Sequence, residues 1–592
     1  MRHNLSSIRI VNFKSLIDCN FKLSDYTPLV GYNNAGKSNI IHAIKWLFQK
    51  SSLSTEDFKD PTKPVEVIGV IEGITKEILE QLDIKHKKAI EKFINNGCIT
   101  IKRVQEIPAA KSPDIKLQVR KIEFTPEEDE WAVNPTGIDN AISSLFPEPI
   151  HVGAMENAEE DVSKSKTGTT IGKLLSRIVE PIEKKYGADL KKQLSSIGSL
   201  LDADSDSRAP ELNEFDSGMN DKIDIFFQGV KVKVHVPTPE LKEVFGKGTL
   251  KVFESDRIGG KDVSSLGHGA QRSIQMALIQ HLSELQKFSD NDPSRTLLLI
   301  DEPELYLHPQ AIEVIRHALK TLSKNNYQII FSTHSALLIT EKDMPSTILV
   351  RKSTSDGTHK KPTLHEAVIQ TLSDRPSQTK LLFSLGNSSK LLFSETVILA
   401  EGKTENRLLP IIFESIKGIS LGKAKVALIE QGGSGDTKKS MEILKVMGLP
   451  NKAIVDLDYA FKSAIDNKTL SPDDEDCIKC KQILSDLADG YNIILDNSGW
   501  PTKKDGSLTA AEAFAILAKD QRAKDSIDSL HKKLKEHNIW LWKYGTIEHH
   551  LGLTQKNELA WAEFANKIEI TSPEELILDY DGVKECMEWL MN

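Results

Sequence analysis

Two spacings of apolar residues alternate along the chain. Near the start, Ile8, Ile10 and Phe13 mark one short strand, and residues 27–30 a second that stops at Gly31. From Asn39, IIHAIKWLF places apolar residues at helical spacing. Segments 64–74 (PVEVIGVIEGI) and 98–105 (CITIKRVQ) predict strands of one sheet. Residues 155–220 turn polar, with helical stretches such as 171–182, and predict a helical insertion. Strands are expected again at 231–237 (KVKVHVP) and 249–253 (TLKVF), then a helix over 273–285. The apolar runs TLLLI (296–300) and QIIFS (328–332) are of the kind buried in a parallel sheet. One helix lies between them, so a right-handed parallel β-α-β unit is expected.

A polar stretch over 352–394 separates this pattern from a second one. There TVILA (396–400), KVALI (425–429) and AIVDLD (453–458) alternate with helices. The fold class read from this order is α/β, in two α/β units with a helical insert. The expected division is 1–154, 155–225, 226–375 and 390–592.

Composition narrows the class. Lys and Arg number 76 against 85 Asp and Glu, a net charge of -9 that disfavours a passive nucleic-acid coat. Five Cys are too few for a disulfide scaffold, and only Cys477 and Cys480 are close together. A lone C-x-x-C is weak support for a metal, so solvated loop thiols are expected. No export signal and no 18-residue apolar run is present, which points to a cytoplasmic protein without a membrane span. There is no repeat and no long heptad region.

The segment Gly31-Tyr-Asn33-Asn34-Ala-Gly36-Lys37-Ser38 fits G-x-x-x-x-G-K-[ST] and lies between a strand and a helix. Its backbone N–H groups and the helix start suit phosphate oxygens. Lys37 is expected on the β- and γ-phosphates of ATP, and Ser38 on Mg²⁺. The strand Leu297-Leu-Leu-Ile300 ends in Asp301, expected at the Mg²⁺, and Glu302, expected to activate water. His334 follows the apolar strand QIIFST, within reach of a γ-phosphate in such folds. Gly267, Gly269 and Gln271 open a further helix, a second anion site that would complete the first in trans.

The set IVNFKS, GYNNAGKS, LGHGAQRS, IDEPELYLHP and FSTHS resembles an ABC-type ATPase head of the SMC/RecF kind. The resemblance makes LGHGAQ the signature segment, 307–309 the D-loop region and His334 the switch histidine. It also implies an ATP-sandwich dimer, with 1–154 and 226–375 as the two lobes of the head. Gln105 is the candidate for the Q-loop.

In the second unit, Glu401 and Glu405 follow the strand TVILA, and Asp456 and Asp458 close AIVDLD. Ligands gather at the carboxyl ends of parallel strands. Four carboxylates in one place need a cation, and an oxygen-only set selects Mg²⁺ or Mn²⁺. Two such ions would clamp the attacking and leaving oxygens of a phosphodiester. In the tail, Trp542-Lys543-Tyr-Gly545-Thr-Ile547-Glu548 offers a further ligand, Glu548, and a lysine, Lys543, to stabilise phosphorane charge. His549 and His550 are read as structural. The E-G…D-x-D pattern, with Gly432-Gly433, resembles a Toprim domain.

A head of this kind followed by a Toprim domain resembles the OLD (overcoming lysogenization defect) family of ATP-dependent nucleases, class-1 type. The resemblance implies a helical dimerisation insert, a homodimer or higher oligomer, DNA as substrate, two divalent ions for cleavage, and a role in anti-phage defence. It also implies possible defence partners such as a helicase or a retron reverse transcriptase–DNA complex. The alternative is an ATP-driven DNA sensor or SMC/RecF-type repair ATPase whose Toprim module does not cut. A topoisomerase would need a tyrosine nucleophile in a separate domain, and no segment supplies one. DNA is expected on local basic patches, around Arg272 and on HKKLK (531–535). The acidic run 473–476 is read as a solvated face.

Overall fold

The computed structural model describes residues 2–123, 125, 129–154, 170–227, 229–237, 250–253, 259–285, 294–386, 389–503 and 508–591. The chain divides into two compact units. One comprises residues 1–27, 36–338 and 353–358, and the other 28–35, 339–352 and 359–592.

The first unit carries two kinds of strand pairing. Strands Leu16–Lys22, Asn4–Phe13, Val65–Glu72, Ile99–Gln105, Lys116–Arg120 and Trp131–Val133 pair antiparallel in that spatial order. Val65–Glu72 buries every second residue, the period of a half-buried strand. By contrast, Ile150–Val152, Thr296–Asp301 and Tyr327–Thr333 pair parallel. Tyr327–Thr333 is buried at all its positions, as its apolar run predicts. The intervening helix Pro309–Ser323 packs Ile312, Ile315, Leu319 and Leu322 into the same core. Helix Lys37–Phe48 starts directly after Gly36, and helix His268–Leu285 starts five residues before the expected 273. Helices also span Thr170–Leu201 and Pro210–Ile223.

Two expectations change. Residues 231–237 form no strand. Lys251–Val252 pairs only with Lys261–Asp262, a two-stranded ribbon apart from the large sheet. Among the described residues the alternating valines of KVKVHVP have no neighbouring strand to pair with, and Val234 N bonds the Asp216 carboxylate instead. Residues 155–169, the start of the expected insertion, lie outside the described residues.

In the second unit four parallel strands run in the spatial order Val426–Glu430, Thr396–Ala400, Asn451–Val455, Ile539–Leu541. The two strands that lead into the candidate carboxylates are therefore neighbours. Leu399, Val455 and Leu541 face one apolar core, and Ile398, Ile454 and Trp540 face the other. Among the described residues, no helix is long and apolar enough to cross a membrane.

Candidate active sites

The phosphate loop has the backbone its glycines predict. Gly36 sits at φ 99, in the left-handed region, and a side chain there would run into Thr358. Asn34 also takes positive φ, at 64, which asparagine tolerates better than most residues. Gly31 and Asn33 lie in the same loop, with Asn33 exposed. Lys37 is 6 % exposed, and its Nζ lies 2.9 Å from His334 Nε2. Ser38 Oγ donates to Asp301 Oδ1 at 2.9 Å, and Ser332 Oγ donates to the same oxygen at 2.9 Å. Burial alone would raise the Asp301 pKa, but His151, Ser332 and Ser38 hold it below the ordinary value. His334 lies 3.6 Å from Glu302 Oε1; burial and the Lys37 charge lower its pKa. Lys37, Ser38, Asp301, Glu302 and His334, named from separate motifs, thus converge.

Glu302 is held in the left-handed region at φ 48. Arg272 braces this corner, because its Nη2 donates to the carbonyls of Asp301 at 2.8 Å and Glu302 at 2.7 Å. At 1 % exposure Arg272 is no surface cation, so it does not supply the DNA patch expected there. No spacing in the chain marks the role of Glu304. It accepts from His334 N at 2.6 Å and Thr333 Oγ1 at 2.9 Å, and so fixes the turn that presents His334. Gly267 is exposed at the mouth of its helix, Gly269 is half-buried, and Gln271 Nε2 turns back onto Leu266 O at 2.8 Å. Gln105 is fully buried and clamps Leu53 and Ile107, so it is a structural residue rather than a nucleotide contact.

The second site lies at the carboxyl ends of the parallel strands. Glu401 Oε2 accepts from Asp456 N at 2.9 Å, joining the two central strand ends. Glu405 is 2 % exposed on helix Lys403–Lys417. Leu457 N, between Asp456 and Asp458, donates to Gly545 O at 2.7 Å, which draws the tail motif onto the site. Thr404 Oγ1 then donates to Glu548. Five carboxylates come together: Glu401, Glu405, Asp456, Asp458 and Glu548.

Their electrostatics follow from burial and mutual repulsion. Burial, then Asp458, pushes Glu401 up to about 7. Burial with Glu405 and Glu401 drives Asp456 well above the carboxylate range, and burial raises Glu405 and Asp458 as well. Burial alone would raise Glu548 too, but bonds from Thr404 and Thr546 and the Lys556 charge bring it below its ordinary value. Asp456 Oδ1 and Glu548 Oε2 are buried without a hydrogen-bond partner. Hard oxygen donors, repelling charges and two orphaned carboxylate oxygens fit divalent cations.

This arrangement has a pH consequence. Glu401 rises from 4.5 to about 7, so its contribution to stability is present below pH 4.5 and is lost as pH climbs through 7. In EDTA, denaturant titrations should show the second unit losing about 3 kcal/mol over that window, and saturating Mg²⁺ should flatten the profile. A profile unchanged by Mg²⁺ would contradict a cation at the cluster.

Lys543 is not part of the cluster. Its Nζ pairs with Asp528 Oδ1 at 2.9 Å rather than with a carboxylate of the cluster. The lysine beside the cluster is Lys556. Its Nζ lies 3.3 Å from Glu548 Oε1, and the charges of Glu548, Asp456 and Glu405 raise its pKa. No local motif marks Lys556, because it sits in a polar loop after the helix Ile547–Leu551.

Three further expectations are corrected. Asp474 caps the helix Glu475–Tyr491, and Lys533 bonds Asp474 and Asp476 at 2.6 and 2.9 Å, so half of the acidic run is a paired helix cap while Asp473 and Glu475 stay exposed. Lys535 is tied to Glu585 at 2.6 Å and His531 is buried, which leaves little of HKKLK for DNA. Cys477 and Cys480 are buried in that helix, and burial pushes both thiols up to about 12, so they are inert core thiols.

Residues 4–339 match the AAA ATPase domain model, and residues 392–458 match the overcoming lysogenization defect protein-like TOPRIM domain. The Old nuclease of Escherichia phage P2 is 39 % identical over all of both chains. The chain belongs to the OLD nuclease family. Two further relatives are more distant. The OLD nuclease of Thermus scotoductus is 22 % identical, over 77 % of this chain and 82 % of its own. Endonuclease GajA of Bacillus cereus is 23 % identical, over 50 % of this chain and 41 % of its own. This OLD-family chain is an ATPase and an endonuclease, with a mixed α/β ATPase head followed by a Toprim domain. The two domains imply use of a nucleotide and of divalent metal.

Proposed function

We propose that the chain is an ATP-gated DNA endonuclease of anti-phage defence, cutting phosphodiesters at a two-cation Toprim site. The observation that carries this reading is the cluster itself: five carboxylates with two orphaned oxygens, beside one lysine. Glu401, Asp456 and Asp458 would hold Mg²⁺ or Mn²⁺ from the strand ends, and Glu405 and Glu548 from the helix side. When bound, such ions neutralise the carboxylates and polarise the phosphodiester. Thr404 and Thr546 keep Glu548 charged and oriented. Lys556, released from Glu548 by the incoming phosphate, stabilises the charge that grows on phosphorus.

In the head, Gly31 to Ser38 cradle the phosphates and Lys37 contacts the β- and γ-phosphates. Ser38 and Asp301 take the nucleotide's Mg²⁺, while Glu302 orients water under the control of His334. Gly267, Gly269 and Gln271 would close on the nucleotide of a second chain, so a homodimer is part of the reading. Residues 1–154 and 226–375 form the head, 155–225 the dimerisation insert and 390–592 the nuclease. Five free thiols suit a reducing cytoplasm.

The test is supercoiled plasmid with the purified protein, with and without Mg²⁺ or Mn²⁺ and with and without ATP. Metal-dependent nicks with free ends support the reading; cleavage undiminished by EDTA overturns it. Lysine variants refine it. Lys556→Ala should slow nicking about 10²- to 10³-fold, the usual cost of losing one charge-stabilising donor. Lys543→Ala should change it less than about threefold, because that residue serves a half-exposed ion pair. The reverse order would return the role to Lys543.

A further inference from the structure

The head holds a group of three ligands of which the nucleotide reading uses only one, Asp301. His42, His151 and Asp301 each offer one ligand atom, and the three atoms lie within 4.8 Å of one another. His42 stands four residues after Ser38 on helix Lys37–Phe48, so it shares the face that carries Ser38. His151 lies on strand Ile150–Val152, held opposite Leu299 in the parallel pairing with Thr296–Asp301. The two imidazole rings meet edge to face with centroids 5.3 Å apart.

Asp301 is oriented for this arrangement. Ser38 and Ser332 both bond its Oδ1, while its Oδ2 faces His151 Nε2 at 3.5 Å. The His151 side chain is 8 % exposed, and its Nε2 is buried without a hydrogen-bond partner. A buried imidazole nitrogen without a hydrogen bond, facing a carboxylate that two hydroxyls steady and lying beside a second imidazole, is a ligand set whose carboxylate is already oriented.

We infer that His42, His151 and Asp301 bind a borderline divalent cation of the Zn²⁺, Co²⁺ or Ni²⁺ class. Two imidazoles and one carboxylate select such ions over Mg²⁺, which prefers an all-oxygen shell. Bonds of about 2.0–2.1 Å require the three atoms to close by a fraction of their present separation, which small side-chain rotations supply. The same Asp301 carboxylate serves the nucleotide's Mg²⁺ in the reading above, and on that reading the two occupants exclude each other. A Zn²⁺-class ion then holds the head in a nucleotide-free state, and Mg²⁺·ATP displaces it.

The test uses the full chain stripped of metal, with Asp456→Asn and Glu401→Gln to silence the nuclease carboxylates. Zn²⁺ retained after gel filtration is counted by mass spectrometry, and Co²⁺ is read by its visible absorption. One ion per chain is expected, displaced by Mg²⁺·ATP but not by excess Mg²⁺ alone. His42→Gln and His151→Gln, made separately in this background, should each weaken retention about tenfold or more. Retention unchanged by both substitutions, or no retained ion, overturns the site. A His151 that only steadies Asp301 would give that second result. Equilibrium binding of a fluorescent ATP analogue, run in parallel, shows whether the head binds nucleotide and is folded in each variant. If ATP binds and the Zn²⁺ stays, mutual exclusion is overturned. If ATP does not bind to the parent protein, the nucleotide assignment is what has failed.

Discussion

Asp456→Ala should lower plasmid nicking about 10³-fold, or about 4 kcal/mol in barrier, while ATP hydrolysis continues. Asp456 has the strongest claim of the five carboxylates. It ends a central strand of the parallel sheet, its backbone N–H is fixed by Glu401, and its Oδ1 is buried without a partner. The substitution also tests the electrostatics. Burial and the flanking glutamates hold Asp456 well above the ordinary carboxylate range, so its ionised form destabilises the metal-free fold. Removing it should raise the melting temperature in EDTA at pH 8, where the carboxylate is under most pressure to ionise, and should lower the stabilisation that Mg²⁺ confers. Nicking at the parental rate would remove the cluster from the reaction. A variant that melts earlier in EDTA would show that Asp456 supports the fold rather than straining it.

Lys37→Ala should abolish ATP hydrolysis, by about 10³-fold or more, and remove measurable nucleotide binding. Lys37 is nearly fully buried, and its ammonium is 2.9 Å from His334 Nε2. A cation placed there, at the first residue of a helix and behind a loop in left-handed conformation, is arranged for anionic oxygens. Its loss removes one of the influences that lower the His334 pKa, so burial alone then opposes protonation against the attraction of Glu302. Released phosphate and equilibrium binding of a fluorescent analogue measure the two effects. Metal-dependent nicking without ATP should persist, because none of the five nuclease carboxylates is altered. If hydrolysis survives, Lys37 does not contact the transferred phosphate. If basal nicking vanishes with nucleotide binding, the head is needed for more than gating.

The parts of the two sites carried by contiguous motifs were legible in the chain. Glycines at fixed spacing, an apolar strand ending in Asp301-Glu302, and strands ending in Glu401 and Asp456 each announce their backbone and their chemistry together. What the chain hid were roles decided by partners far away in sequence. Lys543 stands in the aromatic run WKYG and Lys556 in a polar loop, yet the partners decide: Asp528 holds the first and Glu548 the second. Arg272 looks like a surface cation beside a glycine-rich turn, yet its carbonyl partners lie about thirty residues on. Lys533 in HKKLK is claimed by carboxylates nearly sixty residues earlier. The valines of 231–237 alternate well but have no neighbour among the described residues to pair with, and a strand exists only as part of a sheet. His42 and His151 carry no motif at all, because helix and strand bring them together only once the parallel sheet has formed.

The placement of Glu548 and Lys556 sets an order of events during synthesis. Glu401, Asp456 and Asp458 leave the ribosome first, but the tail loop that Leu457 holds through Gly545 comes later. At about 5–20 residues per second, the stretch from Glu401 to Glu548 takes roughly 7–30 s to translate. Through that interval the nascent chain has a complete nucleotide-binding head and an unfinished cutting centre. A message broken or abandoned within that stretch yields a protein without Glu548 and Lys556. A chain that stops there would lack the groups proposed above to hold a cation and to stabilise charge on phosphorus, and should not nick plasmid.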